Sequence, residues 1–350
     1  MNTKRSKTIG LSIHGPSSFP AGNVTSMKSI KDRVGFVVGG VGARRTNAPT
    51  AIKQIVAAEE AGIRQIWMNQ TYLDTLTMFA AAATKTSEVR LGTAIVPTYP
   101  RHPLALAQQV LALNDIAPGR LRLGIGPSHN SIIEAIFGLP QRKPLVHLRE
   151  YMEVLRAVLW EGKVNHHGEF FNVVVTPDGL LTSPNTARLP ILVSALGEKA
   201  FQLAGEIADG ALSWFCPVPY LLHTGLPALR KGAAMAGRSA SPPPLVAHVL
   251  VALTTDRNLA MAAGHQFMDI YATLPFYVKM FTSAGFPITL GSAMPDTLVD
   301  ILVISGNEDT VTARFSELLA SGLDELMVNL LPIKDTDDEQ LRLMHSVAEL

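Results

Sequence analysis

The chain has a single cysteine, Cys216, and almost no net charge. One cysteine cannot close an internal disulfide and suits a reducing compartment, so a cytoplasmic setting is expected and a structural zinc site is not. Its 30 basic and 29 acidic residues leave a formal net charge of +1. That balance offers no field for a phosphate backbone, which excludes nucleic acid as an expected partner. Long apolar runs are scarce as well. The uncharged stretch 210–229 approaches membrane-span length, but Pro217, Pro219 and Pro227, with His223 and Gly225, would break a spanning helix repeatedly. It reads as a buried strand followed by loop, and no membrane partner is expected. Residues 1–32 are rich in Ser, Gly and Lys and lack both a continuous apolar core and a small-residue cleavage pattern. They read as a flexible extension rather than a signal peptide, with Met27 a candidate start.

What the chain does have is interior: 47% of its 350 residues are hydrophobic against 17% charged. From Arg33 onward, short apolar runs alternate with helical patterns. Eight such runs occur, at 34–38, 63–68, 91–96, 121–125, 191–194, 211–214, 245–253 and 325–330. They are apolar on both faces, as parallel strands buried on both sides should be. Asn47 and Pro49 mark one helix start, with Gly62 at its end; Pro103 opens another, running to about Asp115. Leu148, Tyr151, Met152, Leu155 and Leu159 form one helical stripe in 147–160. Two further helices, 198–209 and 308–321, close before Gly210 and Gly322. Eight strand and helix pairs in this length indicate an α/β fold of the (β/α)8 TIM-barrel type, where an open doubly wound sheet would stop near six strands. One barrel domain is expected over 33–335, with 336–350 a C-terminal helix packed on it. Extra length gathers after strand four, in 161–188 with a hairpin around 168–175, and after strand seven, in 271–301. Both insertions are placed to roof a site.

In a barrel the chemistry sits at the carboxyl ends of the strands. After the first strand comes Gly39-Gly40-Val41-Gly42, with Arg44 and Arg45 behind it. A dinucleotide fingerprint fails there, because its third glycine would fall on Arg45 and no acidic residue ends the next strand. The glycines instead let a flat ring approach the backbone. After the second strand, Trp67, Asn69 and Gln70 offer either an aromatic wall with two amides or, for Trp67, simple core. After the third, Tyr99 can aim its hydroxyl at the mouth, while Arg101 and His102 either join the site or support the loop. After the fourth, Gly126-Pro127-Ser128-His129-Asn130 delivers an imidazole and a hydroxyl together, and an imidazole titrating near neutrality suits proton transfer. His166 and His167 lack a third ligand nearby, so no metal is expected. After the fifth, Ser194-Ala195-Leu196-Gly197-Glu198-Lys199 leads into a helix whose free amides attract phosphate, although a turn glycine and a cap serine would need no ligand. Lys199 lies past the strand end, which argues against a Schiff base.

The ordered series Leu91-Gly92-Thr93 through Arg101-His102-Pro103, Pro118 through His129, Phe137-Gly138-Leu139-Pro140, 147–151, Leu192 through Gly197, and Leu203 through Gly210 resembles the luciferase-like monooxygenase superfamily, specifically its coenzyme F420-dependent oxidoreductases. The likeness spans 33–332. It implies a deazaflavin at the carboxyl mouth and a non-prolyl cis peptide in the third strand, at Ala94 and Ile95 beside Thr93. It also implies a cofactor phosphate on Ser194, Ala195, Leu196, Gly197 and Glu198, and a polar group at the end of strand four, here His129. Relatives of this type carry an acid and a histidine at the end of strand two, where this chain has Asn69 and Gln70. Proton handling therefore shifts to His129, with Tyr99 as second candidate.

The expected reaction is hydride transfer between F420 and a small or medium organic substrate: an activated alkene, imine, ketone or alcohol. Further cofactor contacts fall to Gly39, Gly40, Asn69, Thr93, Ala94, Ile95, Gly126, Ser128 and His129, with the ring against strands one to three. An FMN-dependent monooxygenase using oxygen is the alternative. A flavin-binding relative without catalysis is a third reading, from the missing acid and histidine. A homodimer is implied, for which the Ala-rich helix 73–85 is a candidate face, although burial within one barrel would explain its composition too. Trp214, Phe215, Tyr271, Phe276 and Tyr277 suggest an apolar pocket lining.

Overall fold

The structure is a computed structural model that describes residues 29–39, 46–176, 186–334 and 336–350. Eight parallel strands close into a barrel: β1 (Val34–Val37), β2 (Gln65–Met68), β3 (Arg90–Thr93), β4 (Leu121–Gly126), β5 (Ile191–Ser194), β6 (Gly210–Leu212), β7 (Leu245–Ala252) and β8 (Glu325–Leu330). Closure is made by β8, which pairs β1 with Val34 opposite Leu326 and β7 with Val246 opposite Glu325. The eight runs read from the sequence are these eight strands. Helix punctuation follows as well: Asn47 Oδ1 accepts the Thr50 N–H ahead of Ala48–Glu60, and Gly162 ends Pro144–Glu161 in the left-handed region.

The interior is filled in levels. At the amino-terminal end, Arg122, Glu325 and Gln65 form a buried network, with Arg122 gripping the Glu325 carboxylate in a bidentate pair at 2.6 and 3.0 Å. Above it Trp67 lies wholly buried among Val37, Leu192, Leu212, Val246 and Met327, with the Arg122 guanidinium 5.0 Å from its ring. Trp67 is therefore core rather than a wall of the site. Its size dictates a neighbour: a Cβ on Gly92 would sit 2.3 Å from the indole, so only glycine fits beside it. The carboxyl ends of the strands above this plug hold the cavity.

Several elements differ from the sequence reading. The 210–229 run does not become loop after β6. It enters a helical rod, Val218–Tyr220, a π-turn Leu221–Gly225 and Leu226–Met235. The Leu226 N–H bonds back five residues to Leu221, a register shift that precedes Pro227, which has no N–H to donate. A ninth parallel strand, Val303–Ser305, adds to the outer edge of β7; three residues are too short to stand out as an apolar run. After β4 the hairpin pairs Val164–His167 with Asn172–Val175, its turn held by backbone N–H groups of Glu169, Phe170 and Phe171 on the Glu150 carboxylate. Among the described residues of 161–188 none lines the cavity, and 177–185 lie outside the described segments.

Residues 30–32, assigned to the extension, form a helical turn with Arg33, whose guanidinium donates to the Leu323 and Asp324 carbonyls at 2.5 and 2.7 Å; residues 1–28 lie outside the described segments. The C-terminal helix Thr336–Ala348 buries Leu343, Met344 and Val347, and Gln340 donates to the Val37 carbonyl at 2.8 Å. The Ala-rich helix Thr75–Ala83 turns Leu76, Phe79, Ala82 and Ala83 into its own barrel. No helix is long and apolar enough to cross a membrane among the described residues.

Candidate functional site

A cavity of about 1120 Å³ opens at the carboxyl ends of the strands. Of the residues singled out in the sequence, Asn69, Ala94, Ile95, Ser128, His129, Ser194, Leu196, Gly197 and Glu198 line it together. The Ala94–Ile95 peptide is cis, at the position the family resemblance implies. Beyond it Val96–Pro97 resumes pairing with β4.

The others sit elsewhere. The Thr93 hydroxyl is fully buried and bridges to β4, donating to the Gly124 carbonyl at 2.7 Å and accepting its N–H at 2.8 Å. Gly126 makes room: a Cβ there would lie 2.1 Å from Ser194 Oγ, and it is Ser194 that faces the cavity. Ala195 is buried, its N–H on the Leu212 carbonyl. Gly39 stands outside the lining with φ +87 and donates to Gln54 Oε1; Gly40 lies outside the described residues. Tyr99 does not point at the mouth. Its ring stacks on His147 at 3.9 Å and its hydroxyl donates to the Arg142 carbonyl at 2.6 Å, so it ties two loops together. Arg101 pairs with Asp74 at 2.5 Å and His102 Nδ1 caps the following helix, the supporting roles open to them from the start.

Three buried polar atoms at the cavity have no partner among the described residues: Asn69 Oδ1, Gln70 Oε1 and His129 Nδ1. Leaving such atoms unpaired costs about 1–3 kcal/mol each, and these three, unlike Trp67 Nε1 in the core, can meet a partner brought into the cavity. A second group of free donors stands opposite. Helix Glu198–Ile207 begins at Gly197 without a side-chain cap, leaving first-turn N–H groups open to an anion. The Glu198 carboxylate at that end repels one, so the contribution there is the backbone N–H. All three non-glycine residues with left-handed φ among the described residues are at this end of the barrel: Ser128 and Lys143 line the cavity, and Phe215 packs against Tyr271 behind it. Such conformations cost free energy and concentrate at working sites.

The remaining wall is aromatic. Helix Pro275–Ser283 and the turn Asp269–Thr273, both from the insertion after β7, supply Tyr271, Phe276 and Tyr277, while Trp214 follows β6. The His129 ring lies 5.2 Å from Tyr277 and 6.4 Å from Phe276. Burial pushes His129 down to about 4, so it is neutral at physiological pH. Sequence reading passed over Ser213 in the lining and His248 beneath it. His248 stacks on Trp214 at 3.8 Å with Nε2 3.3 Å from Asn329 Nδ2. A lone histidine in the apolar run 245–252 was the available signal for it.

Three buried histidines set a pH dependence. Burial lowers His129 and His147 to about 4 and His248 to about 3, the Glu150 charge opposing it in part at His147. In the unfolded chain each titrates near 6.5. Below that pH the unfolded state takes up protons the native state refuses, so stability is full above 6.5 and falls as pH drops toward 4. His265, where partial burial is outweighed by Asp269 and Asp296, is raised and acts oppositely, but at the surface. Each buried histidine accounts for roughly 3 kcal/mol across its window. Urea midpoints should therefore fall steadily between pH 6.5 and 5; a flat midpoint there would contradict the burial assigned to these rings.

A sequence model of the family described as luciferase-like monooxygenase matches residues 34–325. A Mycobacterium tuberculosis protein named, provisionally, as a coenzyme F420-dependent oxidoreductase is 29% identical over 309 residues, covering 78% of this chain and 88% of its own. Among solved structures, an F420-dependent secondary alcohol dehydrogenase in complex with an F420–acetone adduct superposes with TM-score 0.74 at 17% identity, over 90% of this chain and 98% of the other. The oxygenating constituent of 3,6-diketocamphane monooxygenase from Pseudomonas putida, solved with FMN, gives 0.66 at 18%, over 91% and 97%. At these identities the structural matches establish the shared barrel.

Proposed function

The chain belongs to the luciferase-like monooxygenase family, and from that premise we propose that this enzyme is an F420-dependent oxidoreductase acting on a small or medium organic substrate such as an alcohol, ketone, imine or activated alkene. The homodimer and the cytoplasmic setting belong to the same proposal, resting on the resemblance and the single cysteine.

The observation that carries it is the set of unpaired buried atoms on Asn69, Gln70 and His129, which share one cavity with an uncapped helix start. The donor set fits a planar heterocycle bearing a phosphate. The Asn69 and Gln70 amides are suited to a ring edge, Ala94 and Ile95 to its face, and the N–H groups from Gly197 to Lys199 to the phosphate. Exposed Lys199 adds positive charge to the lining, while Lys143 there is paired with Glu169 at 2.9 Å. Bound F420 would supply two-electron hydride chemistry at this place. The protein's own part is binding, dryness and one proton. Neutral His129 accepts the proton that a substrate hydroxyl releases on becoming a carbonyl, and returns it in the reverse direction. The aromatic wall keeps water from the reacting carbon.

Titration of the purified protein with F420 and with FMN, followed by cofactor fluorescence, tests the reading. F420 is expected to bind one per chain and at least roughly tenfold tighter than FMN. Preference for FMN, with oxygen consumption by the reduced complex, would instead make it a monooxygenase.

A further inference from the structure

At the aromatic end of the cavity Tyr271 holds a fixed hydroxyl whose proton is unused. Tyr271 lines the cavity from the short turn Asp269–Thr273. Its hydroxyl oxygen accepts the Trp214 indole N–H at 3.3 Å, and among the described residues it has no other hydrogen-bond partner. An indole nitrogen can only donate, so the bond consumes a lone pair of the hydroxyl and leaves its O–H free. The ring cannot swing away, because it stands edge-on to Phe215 at 4.4 Å and to Tyr277 at 4.8 Å. Trp214 is fixed in turn by stacking on His248 at 3.8 Å, and His248 by Asn329. A chain of packed groups thus orients one phenol.

The charge around it is as informative. Tyr277 touches both Tyr271 and His129, and neither ring contact brings in an ion. Burial pushes Tyr271 up to about 12 and His129 down to about 4, so both are neutral near pH 7. Among the described lining residues the sole carboxylate is Glu198, at the helix start across the cavity, and the cations Lys143, Lys199 and Lys279 are all solvent-exposed. A charged group carried into the aromatic end would find no buried counter-ion there, only the solvent-exposed Lys279 on the aromatic helix, and would lose its hydration, a cost of several kcal/mol. An uncharged oxygen would find the oriented Tyr271 donor.

We propose that Tyr271 is the substrate-orienting donor of this site, holding the carbonyl or hydroxyl oxygen of an uncharged, apolar substrate whose hydrocarbon body lies against Trp214, Phe276 and Tyr277. This rests on the oxidoreductase reading for its place in a reaction. Its binding content stands without a cofactor.

Three probes of matched size separate the contributions: acetophenone, ethylbenzene, which lacks the oxygen, and 4-acetylbenzoate, which adds a charge. Binding to the cofactor-free protein is followed by calorimetry. Acetophenone is expected to bind about three- to tenfold tighter than ethylbenzene, the worth of one neutral hydrogen bond, and at least roughly tenfold tighter than 4-acetylbenzoate. Tyr271→Phe should erase the advantage over ethylbenzene while ethylbenzene itself binds unchanged, which shows the pocket intact. Trp214→Phe, which removes the N–H that fixes the hydroxyl, should lose part of it. Equal affinity of acetophenone for wild type and Tyr271→Phe overturns the assignment of Tyr271, and tighter binding of 4-acetylbenzoate overturns the neutral substrate class. If neither F420 nor FMN binds while these probes behave as stated, the oxidoreductase reading fails and the donor assignment survives.

Discussion

Glu325→Ala is expected to destabilise the protein by about 3–5 kcal/mol, because it strands the Arg122 guanidinium at the closed end of the barrel. Both partners are almost fully buried, and the pair is bidentate, with Gln65 bonded to each. The wild-type pair gains little net free energy over a well-packed apolar plug, since desolvation offsets attraction; the large effect comes from the uncompensated charge left behind. Thermal unfolding should move down on the order of 10 °C. A triple variant, Gln65→Met with Arg122→Met and Glu325→Leu, removes every polar member at once and should be less damaged than Glu325→Ala alone. Urea denaturation of both decides: a triple variant worse than the single would mean that the network is net stabilising and that the stranded charge is the smaller part. Cofactor binding at low temperature should survive Glu325→Ala, because the cavity lies at the opposite ends of the strands.

His129→Ala should lower turnover by roughly 10²- to 10⁴-fold with F420 affinity little changed, the usual loss for a positioned acid or base. Nδ1 is buried and unpaired, and the ring is held between the cavity and the Tyr277 and Phe276 side chains. Because burial pushes it down to about 4, the proton-accepting form persists through neutrality. The wild-type kcat/KM should stay flat from pH 8 to about 5 and fall only as the pH approaches about 4. An acid limb near 6.5 would assign the proton to another group. Added imidazole should restore part of the activity of His129→Ala. Unchanged turnover in that variant removes His129 from the mechanism, and lost cofactor binding makes it a cofactor contact instead.

These two residues show how unevenly the sequence exposes its content. His129 could be named without a structure because a strand run ends immediately before it, and barrel chemistry gathers at strand ends. The strands were readable because each is buried on both faces, so most of its length is apolar, with Arg122, His248 and Glu325 among the exceptions. Asn69, Ser194 and Gly197 follow from the same positional logic. Tyr99 satisfied it too, yet its side chain turns aside to stack on His147, since direction after a strand end depends on which loop packs there.

The sequence by itself determined the barrel, its strand positions, the end where the site lies and the family, because these depend on periodicity and order along the chain. Only the tertiary structure decided which side chains meet across the interior. Arg122 and Glu325, 203 positions apart, neutralise one another, Trp67 fills the barrel beside Gly92, and Trp214 aims the Tyr271 hydroxyl across 57 positions. Contacts of that kind are set by barrel closure and strand register, which no local pattern encodes. Burial, which follows from the same closure, then keeps the His129 imidazole neutral, unlike an ordinary surface imidazole.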